Sequence, residues 1–289
     1  MKKYDIIMMG HVSKDIMIYP DINEEQRFTA GPVVYSSASA SQTGAGVLVV
    51  TKAAREDWKD IEYIRGKNID LKIIESPLST SIENIYLSAD REKRKVTLLS
   101  SAQPFTEKDI PAEETKIFHL AGLFRDELPE TLITPLSKKA SVAIDAQGLL
   151  RCSDGGKLLF RDWENKKIYL PRITYLKTDA AEAEILTGTD DREKAARILA
   201  ELGAKEVMVT HNTEVLVLVE GKIYKAPFNP ENLSGRTGRG DTCFASYLAR
   251  HLTHGPEEAV RYAAALTSIK MEKPGRFTGT IEDVLARMK

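Results

Sequence analysis

Short, uniformly apolar segments alternate along the chain with longer segments in which apolar residues recur every three or four positions. The apolar segments predict β-strands at Ile6–Met9, Val47–Thr51, Lys72–Ile74, Ile117–Leu120, Val142–Asp145, Thr174–Lys177, Val207–Thr210 and Val215–Val219. The segments with helical spacing are Tyr35–Gln42, Leu128–Lys139, Ala180–Leu186, Asp191–Leu202, Asp241–His251, Pro256–Met271 and Ile281–Met288. Apolar strands that alternate with helices are typical of a parallel sheet buried on both faces. The pattern therefore predicts an α/β protein, a three-layer α/β/α sandwich around a mostly parallel central sheet.

Two further stretches do not fit this alternation. One is a predicted β-hairpin, in which Ile82–Leu87 and Val96–Leu99 flank a charged tip at 89–93. The other pairs Ile16–Tyr19 with Arg27–Thr29. These strands are inserted at about 14–30 and 82–101. They would form a small sheet outside the main one, either as a lid over a site at the carboxyl ends of the parallel strands or as a decoration without a role.

Composition narrows the class of protein. The chain has 289 residues, a length that suits either two domains or one large α/β domain, and we expect one domain over 1–289. Lys and Arg number 41 and Asp and Glu 42, and the resulting net charge of −1 argues against a nucleic-acid partner. Cys152 and Cys243 are too few for a disulfide scaffold and suit a reducing cytoplasm. No apolar run approaches the roughly 20 residues of a membrane span.

The most informative segment is glycine-rich and precedes a predicted helix. Gly235, Gly238 and Gly240 lead into Asp241 at the helix start. Glycine lets the backbone approach a ligand closely, and the free N–H groups of a helix start favour an anion. Asp241 could then act as a general base, or it could be an ordinary N-cap, and the spacing alone leaves both open. The P-loop, Rossmann and serine-hydrolase glycine motifs are absent from the sequence.

The run Gly238-Arg239-Gly240-Asp241 resembles the Gly-Ala-Gly-Asp signature of the ribokinase (PfkB) carbohydrate kinase family. The resemblance extends in order along nearly the whole chain. The other matching segments are Gly10–Asp15, Ala30-Gly31-Pro32 with Tyr35, Asp145-Ala146-Gln147, Asp179–Glu182 with Glu184–Gly188, and Val209-Thr210.

This resemblance implies an ATP-dependent kinase that transfers the γ-phosphoryl group to a hydroxyl of a sugar or polyol. Asp241 would be the general base, and the loop of Gly238, Arg239 and Gly240 would hold the transferring oxygens. The expected nucleotide-binding residues are Asp179, Thr210, Asn212, Thr237, Gly238, Gly240 and Ala264. Glu182 would organise Mg²⁺, partly through water. The expected acceptor-binding residues are Asp15, Gly31, Tyr35, Gln147 and Arg151.

The sequence also departs from the family pattern. Gly235-Arg236 replaces the usual Asp-Thr, and Arg239 replaces the small residue between the glycines. These two arginines could bind phosphate or pair with surface carboxylates. Asp179 replaces an asparagine, which could strengthen metal binding or repel phosphate. Tyr35 replaces an acceptor-binding asparagine, which argues against ribose as the substrate.

Some of the same features resemble the archaeal-type myo-inositol kinases within the family. They include Gly10-His11-Val12 and the run Asp145–Gly148 followed by Arg151. Gln147 would offer its amide to a polyol hydroxyl, or it could cap a loop, and Arg151 would neutralise product phosphate, or it could be a solvated surface residue. A nucleoside kinase and a non-catalytic nucleotide- or metabolite-binding protein remain the alternative functions. The apolar face and open edges of the lid predict a homodimer formed through it.

Overall fold

The computed structural model describes residues 2–19, 25–87 and 94–288, so the predicted hairpin tip at 89–93 lies outside the described residues. The strands are β1 (Lys3–Met9), β2 (Ser13–Ile18), β3 (Gln26–Ala30), β4 (Val47–Ala53), β5 (Ile69–Glu75), β6 (Thr80–Tyr86), β7 (Arg94–Ser100), β8 (Glu114–Leu120), β9 (Ser141–Asp145), β10 (Arg151–Asp154), β11 (Lys157–Phe160), β12 (Tyr175–Asp179), β13 (Glu206–Thr210), β14 (Glu214–Val219) and β15 (Lys222–Pro227). The α-helices are α1 (Pro32–Ser41), α2 (Trp58–Ile61), α3 (Ile133–Ser137), α4 (Gln147–Leu150), α5 (Lys166–Tyr169), α6 (Ala180–Thr187), α7 (Arg192–Glu201), α8 (Arg239–His251), α9 (Pro256–Met271) and α10 (Ile281–Arg287).

The main sheet has nine strands in the order β15-β14-β13-β12-β9-β8-β1-β4-β5. Every neighbouring pair from β13 to β5 is parallel, which confirms the predicted mostly parallel sheet. β14 and β15 are antiparallel additions at one edge. β14 runs antiparallel to β13 because the connection between them has only three residues, which is enough for a hairpin but too short for the crossover that a parallel pair needs. The chain leaves β1 towards β4 on one side and returns to β8 on the other, so a switch point lies at β1, where such sheets bind ligands.

Helices cover both faces of this sheet, as the three-layer prediction requires. On one face α1, α8 and α9 bury Val33, Phe244 and Ala263 against the sheet. On the other face α3, α6 and α7 bury their apolar residues in a second core. The predicted helix Leu128–Lys139 is wrong in extent, because only Ile133–Ser137 is α-helical. Pro129 precedes a short 3₁₀ turn at 130–132, and a proline disfavours helical geometry in the residue before it.

The second sheet, here called the lid, has six strands in the order β10-β11-β7-β6-β2-β3. It contains both predicted strand pairs. Its inner face packs on the main body where Ile82 meets Leu123 and Phe124. The β10–β11 hairpin was not predicted, although Gly155-Gly156 between two short strands is a recognised two-residue turn signal. Among the helices of the described ranges, none combines the length and the apolarity that a bilayer span requires.

Candidate active site

The start of α8 forms a cradle of main-chain N–H groups, defined here as those of Gly238, Gly240 and Asp241. Gly238 is the residue before the helix and has φ 79°, a left-handed conformation that glycine adopts without strain. A Cβ atom at Gly238 would lie 2.3 Å from the ring of Tyr35, so a side chain has no room there. Within the described ranges, the three N–H groups of the cradle make no hydrogen bond. These unpaired donors and the helix dipole favour a bound anion.

The carboxylate of Asp241 belongs to the first turn of α8, beside this cradle, and is largely buried. Burial raises its pKa to about 6, and the negative charge of Asp145 acts in the same direction. The positive charges of Lys177, Arg151 and Lys270 oppose these effects. Asp241 is therefore ionised at neutral pH and has a pKa near the working range of a general base. The alternative of an ordinary N-cap is not observed, because the residue before α8 is Gly238 and no side chain caps the helix.

Lys177 occupies the centre of the cluster and was not singled out from the sequence. Its side chain is buried in β12, with the ammonium 2.8 Å from the carboxylate of Asp145 on neighbouring β9 and 4.0 Å from that of Glu182. Burial alone would lower the pKa of Lys177, but the surrounding carboxylates raise it above its ordinary value. A signal was present, since a lysine in an apolar strand buried on both faces must find a partner. Lys177 also approaches α8, where a Cβ at Gly240 would lie 2.9 Å from its ammonium.

Asp179 and Glu182 form a reciprocal cap at the start of α6. The Asp179 carboxylate accepts from the N–H of Glu182, and the Glu182 carboxylate accepts from the N–H of Asp179, both at 2.8 Å. This geometry explains the Asp-x-x-Glu spacing as a capping box. Burial raises the pKa of Glu182 to about 7, against the opposing charge of Lys177. In the part of the chain that the structure describes, no three His, Cys, Asp or Glu side chains converge to hold a metal ion.

Polar residues from the lid and the main body meet on the other side of Asp241. Asp15 pairs across strands with Ile82, so it faces the main body, and it accepts a hydrogen bond from Ser13 at 2.6 Å. Tyr35 is buried next to Gly238, and burial together with the charges of Asp15 and Asp241 raises the pKa of its phenol. Tyr35 therefore links the lid carboxylate to the cradle.

Gln147 and Arg151 also face this region. The guanidinium of Arg151 donates to the Gln147 side-chain oxygen at 2.6 Å and lies over the ring of Phe160. Arg151 is half-buried and bonded to Gln147, and its positive charge helps to lower the pKa of Asp241, which disfavours the interpretation of Arg151 as a solvated surface residue. Gly31 lies between β3 and α1 with φ 112°, and a Cβ there would lie 2.7 Å from the carbonyl oxygen of His11. The structure thus brings the predicted acceptor residues together.

The residues predicted to bind a nucleotide are brought together less well. Thr210 is 1 % exposed and Ala264 2 % exposed, so neither offers a side chain to a bound nucleotide. Ala264 instead belongs to the core beneath α9. Arg239 reaches the other wall of the expected groove, where its guanidinium donates to the side-chain oxygen of Asn212 at 2.9 Å. Thr237 is exposed at the cradle, and its carbonyl accepts from Lys270.

A carboxylate beside unpaired amides, with lysine and arginine cations around them, defines a phosphotransferase type of site. The family model of the pfkB family carbohydrate kinases matches residues 61–282. The chain therefore belongs to that family and is a carbohydrate or nucleoside kinase.

Three similar proteins illustrate the range of substrates among relatives. A cytidine kinase of Thermococcus kodakarensis is 25% identical over 287 residues, covering 96% of this chain and 99% of the relative. An inositol 3-kinase of Zea mays is 28% identical over 166 residues, covering 55% of this chain and 40% of the relative. A solved structure of a pyrophosphate-dependent kinase in the ribokinase family, complexed with a pyrophosphate analog and myo-inositol, is 38% identical and superposes with a TM-score of 0.89, covering 97% of this chain and 99% of that one.

Proposed function

We propose that this protein transfers a phosphoryl group from pyrophosphate to a hydroxyl of an inositol-like polyol, with Asp241 as the general base. The observation that carries the proposal is the Asp241 carboxylate beside the unpaired N–H groups of the cradle. A hydroxyl on the lid side would be deprotonated by Asp241 while it attacks the phosphorus atom held at the cradle. The new oxygen–phosphorus bond forms as the bridging bond of the donor breaks, and inorganic phosphate leaves with the electron pair.

The donor side supports a short, highly charged donor over the ATP expected from the sequence. Arg239 bonds Asn212 across the expected nucleotide groove, and Thr210 and Ala264 are buried. A purine would therefore find few exposed side chains there, whereas a pyrophosphate needs only the cations and the cradle. The similarity to a pyrophosphate-dependent kinase supports the same choice.

Mg²⁺ fits this site as an ion held mainly by donor phosphates and water. Glu182 and the neighbouring Asp179 are carboxylates at the start of α6, beside Lys177, and would be the protein groups to hold the ion, since a few carboxylates plus phosphates are a usual magnesium environment. When bound, Mg²⁺ would neutralise charge on the phosphates. Lys177 provides a fixed positive charge at the same place.

The acceptor side supports a compound with several hydroxyl groups. Arg151 and Tyr35 lie within electrostatic range of Asp241, Asp15 lies within that range of Tyr35, and the Gln147 side chain is held by Arg151. Together they offer guanidinium, phenol, carboxylate and amide groups. Such a set can accept from and donate to a ring of hydroxyls. The inositol kinases among the similar proteins agree with this choice.

A matrix of donors and acceptors tests the proposal. Phosphorylation is followed by ³¹P NMR with pyrophosphate or ATP as donor and with myo-inositol, ribose or cytidine as acceptor, all with Mg²⁺. We expect turnover with pyrophosphate and myo-inositol. Turnover with ATP and cytidine would instead make the protein a nucleoside kinase, and no transfer in any combination would favour the non-catalytic alternative.

The general base is tested in the productive combination by Asp241→Asn. Removing a general base costs about 10²–10⁴-fold in rate, so we expect kcat to fall by that factor while donor binding persists. Asp190→Asn, at an exposed position remote from the cluster, is the matched control. Full turnover by the Asp241→Asn variant would refute the assignment.

We also propose the lid-mediated homodimer predicted from the sequence. The lid exposes the large apolar side chains of Phe28, Leu99 and Phe160, each more than two fifths accessible. A second copy of the lid could cover part of this surface. Light scattering at micromolar concentration tests it, and a monomeric mass would contradict it. The cytoplasmic location stays a prediction.

A further inference from the structure

The loop before the cradle is attached to the end of α9 by a buried lysine. The ammonium of Lys270 donates to the carbonyl of Gly235 at 2.5 Å and also to the carbonyl of Thr237. The same helix end holds the loop through the N–H of Gly235, which donates to the carbonyl of Met271 at 2.7 Å. A Cβ at Gly235 would lie 1.8 Å from the carbonyl oxygen of Lys273, just beyond the end of α9, so the contact requires glycine.

These contacts fix the direction in which the next amides point. In a trans peptide the C=O and the following N–H point in opposite directions. Because the carbonyl of Thr237 points at Lys270, the N–H of Gly238 points away from it, and this N–H belongs to the cradle. The same geometry orients the N–H that follows Gly235. The Lys270 ammonium therefore orients two peptide groups of the loop, the one after Gly235 and the one after Thr237.

A role in packing alone does not explain a charge at this place. Lys270 is 2 % exposed, and in the part of the chain that the structure describes its ammonium has no carboxylate partner within hydrogen-bond distance. Burying an ammonium on neutral carbonyls costs free energy that a methionine of similar size would avoid. The ring of Tyr35, with its centroid 5.1 Å away, adds only a cation–π contact.

We propose that Lys270 is a positioning residue for phosphoryl transfer, which aims the cradle amides at the donor and places a positive charge behind them. The proposal rests on the proposed function, since it assumes that the cradle receives a phosphoryl group. The role of Lys270 can nevertheless be tested without any transfer reaction, because it requires only that a tetrahedral oxyanion binds at the cradle and that this binding depends on the Lys270 ammonium.

Two titratable groups face the Lys270 ammonium, Asp241 from α8 and Tyr35 from α1. Burial lowers the pKa of Lys270 to about 8, against the opposing effect of Asp241. The Asp241 carboxyl is ionised above pH 7, and the phenol of Tyr35 stays neutral because its pKa is raised. Between pH 7 and pH 9.5, Lys270 is therefore the group of the three that changes charge.

The test uses sulfate, which does not titrate in this range, as the probe of the cradle. Sulfate affinity is measured by thermal shift at constant ionic strength from pH 7 to pH 9.5, for the wild type, Lys270→Met and the control Lys273→Met, whose side chain is exposed. We expect the wild type and the control to lose about tenfold in affinity as pH rises, as for a hydrogen bond to a charged group. The Lys270→Met variant should bind sulfate about tenfold more weakly at pH 7 and show no pH dependence.

Kinetics with pyrophosphate and myo-inositol give the second readout. Losing one aligned donor of an oxyanion site typically costs about 10²-fold in kcat, so the Lys270→Met variant should lose that in kcat with an unchanged KM for the acceptor. Equal sulfate affinity and an equal pH profile in the wild type and in a folded Lys270→Met variant would overturn the proposal. If wild-type sulfate binding behaves as expected but no donor supports transfer, the proposed function fails and the role of Lys270 in anion binding stands.

Discussion

Replacing Lys177 by methionine is the most direct test of the charge cluster at the centre of the site. The change removes a buried ammonium and leaves the Asp145 carboxylate, 2.8 Å away and also buried, without its partner. Breaking a buried ion pair from one side costs about 3–5 kcal/mol. For a chain of this length the unfolding entropy is roughly 0.6 kcal/mol per kelvin, so the melting temperature should fall by about 5–8 °C.

The same substitution also changes the titration of the proposed base. The charge of Lys177 holds the pKa of Asp241 down, so its removal should raise that pKa above about 6. The acid limb of the rate–pH profile should move to higher pH. The sign follows from the charge, since losing a nearby cation favours the protonated carboxyl.

The assay combines thermal unfolding with a rate–pH profile for three variants. Lys177→Met is compared with Lys177→Met/Asp145→Asn, in which both charges are removed, and with Lys72→Met at an exposed position of β5. The double variant should recover most of the lost stability without recovering activity, and the Lys72 control should unfold within about 1 °C of the wild type. The reasoning is refuted if Lys177→Met has the same melting temperature as the Lys72→Met control and keeps the wild-type rate–pH profile.

Two further predictions concern the cradle and a remote ion pair. Gly238→Ala should lower both the melting temperature and kcat/KM, because the new Cβ would collide with the ring of Tyr35. Gly44→Ala is the control: Gly44 also has a positive φ but no atom within 4 Å of a Cβ, so this change should cost only backbone strain, about 1–3 kcal/mol. Equal losses of stability in the two variants would contradict the reasoning. The hydrogen bond to Glu206 raises the pKa of His251 despite burial, so this stabilisation is complete below the unfolded pKa near 6.5 and is lost as pH rises through the higher folded value. Urea unfolding at pH 6 and pH 8.5 should therefore show a larger loss of stability in the wild type than in His251→Gln, and parallel losses would contradict the assignment.

Much of the fold follows from patterns that are local in the sequence. All eight predicted main-sheet strands are present, because buried parallel strands are short apolar runs with few alternative interpretations. Both predicted lid pairs are present for a similar reason. The errors lie where the pattern is weak, and they include the shortened helix α3, the unpredicted edge strand β15 and the unpredicted β10–β11 hairpin, whose strands have only four residues each.

The candidate site was predictable where a motif fixes the backbone and not where distant side chains meet. The loop ending in Asp241 could be found because glycines before a helix leave a local signature. Lys177 and Lys270 could not be assigned a role in this way, since their partners lie on other elements, at Asp145 in β9 and at Gly235 in the loop before α8.

By itself the sequence determined the alternation of strands and helices, the position of the anion loop and the carboxylate that follows it, because these depend on neighbours within a few residues. The tertiary structure alone decided which charges surround that carboxylate, and that Arg239 reaches Asn212 across the expected nucleotide groove. The physical reason is range: backbone conformation is set by adjacent residues, whereas the pKa of Asp241 and the shape of the donor site depend on charges and contacts that only the folded chain brings together.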